Sequence, residues 1–116
     1  MRLFQDQLKL KMDKYVRFVY CLTKHFPKEE KYGSASQLRR SSLSVILNYI
    51  EGYARRRPAV RLNFLETSFG SLKESKYLIY LSYKESYISS EDYQKAMEVA
   101  DEIAAMLWTE ISHLDK

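Results

Sequence analysis

Six arginines form the constellation in this chain with the most definite chemistry: the pair Arg39 and Arg40, then Arg55, Arg56, Arg57 and Arg61 around Pro58. A guanidinium keeps its charge at any working pH and can grip two phosphate oxygens through its rigid fork, so clustered arginines point to phosphate contact. The wider charge pattern agrees. Residues 1–61 hold 14 Lys/Arg against 5 Asp/Glu, whereas residues 62–116 hold 5 against 10, so a net charge of +4 conceals a basic half and an acidic half. A polyanion would meet the basic half. The structural alternative for the same arginines is positive charge placed where a helix C-terminus favours it, followed by a solvated turn. No recognised base-reading motif is present, which directs any nucleic-acid contact to phosphates rather than to base order.

Other chemistries have little beneath them. His25 and His113 lie far apart and belong to no HxxxH or HExxH arrangement, and Cys21 is alone. Neither a zinc site nor a disulfide framework can be built from them within one chain. Glu29, Glu30, Glu66, Glu74, Glu98, Asp101, Glu102 and Glu110 supply carboxylates, but the Glu-x-x-His pairs of a carboxylate-bridged metal bundle are missing. Gly52 has no glycine-rich loop around it and is expected to permit close backbone approach rather than to cradle a ligand. The expectation is a protein without catalytic residues, metal or cofactor, and not an enzyme.

The elements that must position these residues are helices. Three Gly and two Pro in 116 residues are too few for a fold of many tight turns, while helix-forming residues fill the intervening windows. The length fits a single domain over residues 1–116. No apolar run is long enough to span a membrane. Charges at Asp6, Lys9, Lys11 and Asp13 interrupt any signal-peptide core, so a cytoplasmic location is expected.

Leu8, Met12, Tyr15, Val19, Leu22 and Phe26 recur at alternating steps of four and three, which predicts a helix over roughly 4–26, ended by Pro27. A second helix is expected from Ser34, with Gln37 completing a capping box, to about Arg56. A third starts near Pro58 to Val60 and runs to about Glu85. Its apolar side carries Phe64, Leu65, Phe69, Leu72, Leu78, Ile79 and Tyr83, interspersed with Ser68, Ser71, Ser75 and Ser82. Gly70 lies opposite much of that stripe and suggests a close contact there. Ser89 or Ser90 caps a fourth helix whose inner face is Ala96, Ala100, Ile103, Leu107, Ile111 and Leu114. Short connections make sequential helices neighbours, so the fold class is all-α, an up-down-up-down four-helix bundle.

The second helix has more apolar circumference than one bundle can use. Leu38, Leu43, Val45, Ile46, Leu47, Tyr49, Ile50 and Tyr53 sweep about 200 degrees of the wheel, about twice what a surface helix needs. Either this helix is central or identical copies shield its second edge. On the latter reading the interface comprises Leu43, Leu47, Asn48, Ile50 and Glu51, with an Arg40–Glu51 pair across copies setting register. Arg39 and Arg40 would then lie about 24 Å from Arg55, from 16 residues at about 1.5 Å each, and a ring would repeat both patches. Among the ten tyrosines, Tyr49 and Tyr83 lie on apolar arcs and are expected to be structural, while Tyr53, Tyr77 and Tyr80 are candidates for stacking on bases, Tyr77 the most exposed.

Several strings, in order, are similar to a known family: Phe26-Pro27, Tyr32-Gly33, Gln37-Leu38-Arg39-Arg40-Ser41-Ser42, Asn48-Tyr49-Ile50-Glu51-Gly52-Tyr53-Ala54-Arg55, Phe64-Leu65 and Gly70-Ser71-Leu72-Lys73-Glu74. They resemble the small bundle proteins encoded by intervening sequences inside bacterial 23S ribosomal RNA genes. The family's usual asparagine-isoleucine-alanine-glutamate-glycine string is here Asn48-Tyr49-Ile50-Glu51-Gly52, and the run Arg55 to Arg57 is denser than the pattern requires. The resemblance implies a bundle that assembles as a ring, commonly a homopentamer. It also implies similarity to the accessory variability determinants of diversity-generating retroelements, basic pentamers that bind nucleic acid and partner a reverse transcriptase. The functional expectation is therefore an oligomeric adaptor that binds DNA or RNA through phosphates and recruits a reverse transcriptase or another nucleic-acid enzyme. The alternative is a protein-only oligomeric scaffold whose arginines neutralise a neighbour's acids.

Overall fold

The computed structural model describes residues 2–115. Four α-helices make up the body: α1 (Arg2–Thr23), α2 (Ser34–Tyr53), α3 (Pro58–Lys84) and α4 (Ser90–Leu114), with one turn of 3₁₀ helix at Lys28–Glu30. Each helix packs on its sequence neighbours, and α4 closes back onto α1, which is the up-and-down bundle expected from the short connections. The body measures 43 × 25 × 19 Å. The C-terminus of α1 and the N-terminus of α2 thus share one end with the α3–α4 turn, and the α2–α3 turn marks the other.

The core follows the sequence periodicity closely. Leu8, Met12, Tyr15, Val19, Leu22 and Phe26 are all buried, as are Ala96, Ala100, Ile103, Leu107 and Ile111 of α4. Helix α1 stops at Thr23 rather than at 26. Its end tightens through bonds from the His25 and Phe26 amides to the Leu22 and Thr23 carbonyls, because Pro27 biases the residue before it away from helical geometry. Helix α2 likewise closes at Tyr53, not Arg56, with the Ala54 amide bonding to Ile50 and Glu51.

The expected Ser34–Gln37 capping box does not form. Gly33 occupies the cap position, and the Glu30 carboxylate accepts from both the Ser34 amide (3.1 Å) and its hydroxyl (2.6 Å). These bonds hold the Glu30 carboxyl below its ordinary range. At α4 the expected cap does form, with Ser89 Oγ accepting from the Asp92 amide at 3.0 Å.

The seam between α2 and α3 is built from small residues. Ser68 Oγ donates to the Val45 carbonyl of α2 at 2.6 Å, and the hydroxyls of Ser44 and Ser71 meet at 2.8 Å. A Cβ added at Gly52 would lie 3.1 Å from Phe64 Cβ, so this glycine does permit the close approach expected of it. Ser75 and Ser82 bond back within α3, and Ser75 also meets the buried Tyr15 hydroxyl at 2.7 Å. Gly70 differs from expectation: a Cβ there would meet nothing within 4 Å, so its exposed face is open rather than packed.

Candidate nucleic-acid interface

At the α1–α2 end, the last turn of α1, the connecting segment and the start of α2 enclose a cleft of about 530 Å³. Five cations line it, Lys24, Lys28, Lys31, Arg39 and Arg40, together with Tyr20, Phe26, Pro27, Tyr32 and Leu43, and no carboxylate does among the described residues. Glu30 sits in the same connection but is consumed by Ser34. Among the described residues, Lys24, Lys28, Lys31 and Arg40 make no ion pair.

Arg39 is held in place rather than free. Its Nε donates to Thr23 Oγ1 at 2.6 Å, and its guanidinium lies over the Tyr20 ring at 4.8 Å. Thr23 is itself fixed, donating to the Val19 carbonyl at 2.9 Å. Arg39 therefore forms a rigid wall of the cleft, pinning α2 to the end of α1.

The arginines at the other end divide in the same way. Arg55 pairs with Glu51 one turn earlier on α2 and lies over the Phe64 ring at 5.2 Å. Arg61 donates to the Arg55 carbonyl at 2.8 Å and covers the Tyr53 ring at 4.7 Å, while its Nε is buried without a partner. Arg56 and Arg57 are exposed and make no ion pair among the described residues. Of the six arginines singled out in the sequence, Arg39, Arg55 and Arg61 thus brace the two turns, and Arg40, Arg56 and Arg57 present open charge.

Between these ends runs an uncovered apolar stripe on α2. Arg40, Leu43, Leu47, Ile50 and Ala54 follow one another at steps of three and four; Leu47 is 53% exposed, Ile50 49%, and Leu43 half-buried. The chain's own bundle therefore leaves part of the wide α2 arc in solvent. Two further residues expected at the interface make bonds within the chain. Asn48 donates to the carbonyl and hydroxyl of Ser44, each at 2.9 Å, joining the α2–α3 seam, and Glu51 takes Arg55 of its own helix instead of leaving its carboxylate free for Arg40.

One polar cluster is hidden in the sequence. Glu110 of α4 is 2% exposed and accepts hydrogen bonds from the hydroxyls of Tyr49 and Tyr53 on α2. Burial, and then donation to this carboxylate, push both phenols well above their ordinary value. Tyr49 stands where the sequence departs from the family string, and with Tyr53 it reaches across to α4. Among the described residues no group of three or more His, Cys, Asp or Glu is placed to hold a metal ion, and no helix is long and apolar enough to cross a membrane.

A helical bundle with basic ends and an uncovered flank is the class of protein this geometry defines. The chain belongs to the family described as 23S rRNA-intervening sequence protein, whose model matches residues 7–109. Its fold is similar to the crystal structure of a protein with unknown function from the S23 ribosomal protein family of Bacteroides thetaiotaomicron. That similarity has a TM-score of 0.84 at 23% sequence identity and covers 90% of this chain and 97% of the other. No curated protein matches the chain.

Proposed function

We propose that this protein is a non-catalytic, self-associating adaptor that binds nucleic acid through its phosphates. The observation that carries this reading is the cleft at the α1–α2 end, where five cations and, among the described residues, no acid line one space. Exposed Arg56 and Arg57 add a second basic site at the far end of the body. The uncovered Leu43, Leu47 and Ile50 favour assembly of identical copies, and a ring, the pentamer implied by the family resemblance, would multiply both sites. Attachment would be multivalent: several weak phosphate contacts on one rigid body raise the effective concentration of the strand without chemistry.

The partner that fits this role is a nucleic-acid enzyme. The family resemblance implies that this enzyme is the reverse transcriptase of a diversity-generating retroelement, a reading that a reverse-transcriptase gene beside paired variable and template repeats would support. Titration of labelled single-stranded DNA, duplex DNA and RNA at low and moderate salt tests the core of the proposal. Binding to at least one that weakens steeply with salt is expected, and undetectable binding to all three at low salt rejects it.

A protein-only scaffold is the second reading, favoured by the Glu51–Arg55 pair, in which basic charge of the 55–61 segment is already met by an acid. The two readings part on Arg56 and Arg57: the scaffold needs them neutralised by a neighbouring copy, the adaptor needs them open.

A further inference from the structure

We infer that the cleft at the α1–α2 end selects single-stranded nucleic acid, by stacking a base on Tyr32 while the lysines that line the same cleft hold the flanking phosphates. This rests on the phosphate-binding reading above and adds to it the form of the strand.

Tyr32 is 87% exposed, the most exposed large hydrophobic side chain among the described residues, and it forms no aromatic pair. Its one ring contact of note is the Lys31 ammonium, 5.5 Å from the centroid. An aromatic ring left standing in water at the mouth of a basic cleft offers a face to another planar group, and a cation beside it strengthens the site for an anionic ligand. The ring is also well mounted. Gly33 follows it directly, its amide bonded to the Glu30 carbonyl at 3.0 Å, and Glu30 in turn anchors Ser34 at the start of α2. A second planar wall, Arg39 lying on Tyr20, faces the same space.

The dimensions favour a strand over a duplex. A cleft of about 530 Å³ is of the size that takes a small ligand, so it can accept a splayed base with its sugar but not the body of a double helix. A duplex also keeps its base faces inside the stack, where Tyr32 cannot meet them, and could touch only the lysines. An exposed aromatic pair elsewhere, Tyr77 and Tyr80, lacks this setting: it lies in the acidic half, and Lys76 beside it is committed to Asp101 at 2.6 Å. The base-stacking role expected of Tyr77 thus passes to Tyr32.

The test uses oligothymidine and a duplex, each titrated by fluorescence anisotropy at low salt with the full chain and with Tyr32→Ala and Tyr32→Phe. The expected result is tighter binding of the single strand. Tyr32→Ala should weaken that binding about tenfold, the scale of one missing stack, Tyr32→Phe should keep it, and duplex binding should be unchanged in both. A single strand carrying 2-aminopurine should be quenched on binding to the native chain and not to Tyr32→Ala. Equal affinity for strand and duplex, with Tyr32→Ala moving neither, overturns this inference and leaves the phosphate-binding proposal standing. Absence of binding of either probe to the native chain at low salt removes both.

Discussion

Ser68 Oγ of α3 donates to the main-chain carbonyl of Val45 on α2 at 2.6 Å, a side-chain bond to the middle of a neighbouring helix that is possible only where two backbones run very close. Gly52, further along the same seam, permits that approach, with Phe64 Cβ 3.1 Å from where its own Cβ would be. Alanine improves helix propensity by about 1 kcal/mol over glycine, and at Gly52 the clash outweighs it because Phe64 Cβ is fixed to its backbone. Gly52→Ala is therefore expected to destabilise by about 1–2 kcal/mol. Gly70→Ala, with open space around it, should stabilise by about 0.5–1 kcal/mol. Urea unfolding of both variants checks the pair, and a stabilised Gly52→Ala would mean the helices are not held together there.

The buried Glu110 ties α4 to α2 through Tyr49 and Tyr53. Glu110→Ala leaves two tyrosine hydroxyls without their acceptor and opens a void, and should cost about 3 kcal/mol. Both phenols are raised above the ordinary 10.0, so the folded chain keeps protons that the unfolded chain releases at high pH. Their contribution is complete below pH 10 and is lost as pH rises above it. The Tyr49→Phe, Tyr53→Phe double variant should be less stable at neutral pH and show a shallower alkaline decline, read from denaturation midpoints across that range. An unchanged alkaline slope would contradict the assignment.

Exposure of Leu47 gives the assembly its test. Light scattering should find the native chain larger than a monomer, and Leu47→Glu should return it to a monomer with unchanged helical circular dichroism, because the introduced charge is solvated in one copy and buried between two. A native chain that is monomeric at every accessible concentration defeats the idea that copies cover this stripe.

For the far basic end, Arg56→Gln with Arg57→Gln should weaken binding across unrelated sequences. The slope of log affinity against log salt for duplex DNA should fall by about two, near one unit for each phosphate no longer neutralised. Arg55→Gln and Arg61→Gln are expected to act differently, lowering thermal stability by breaking the Glu51 pair and the hydrogen bond to the Arg55 carbonyl. An unaltered salt slope in the Arg56, Arg57 variant would show that these two side chains meet no phosphate.

Periodicity makes most of the bundle legible in the sequence. The α1 stripe from Leu8 to Phe26 and the α4 stripe from Ala96 to Ile111 are the buried faces, because each helix presents one side to one core. The width of the α2 stripe also signals its uncovered edge. What stays hidden depends on pairings between distant residues. Glu110 reads as one more surface acid, since its two tyrosine partners lie more than fifty positions away. Ser34 reads as a cap, but the Glu30 carboxylate, brought round by one 3₁₀ turn, takes its amide first. The cleft lysines Lys24, Lys28 and Lys31 fall in and around a connecting segment, where charge is ordinarily solvated, and only the turn at Pro27 folds them toward Arg39 and Arg40. Their number within eight residues is the signal the sequence offers.

The Leu43–Leu47–Ile50 stripe lies on the same helix as Arg40 and leads directly to Arg56 and Arg57, so a second copy that seats its own α2 stripe there would bring like charges together at both extremities. Self-association is then opposed by its own electrostatic repulsion, and a bound polyanion relieves that opposition. Under linkage the effect is mutual: strand binding should tighten the oligomer by the same factor by which the oligomer tightens on the strand, making the cargo a cofactor of its own carrier.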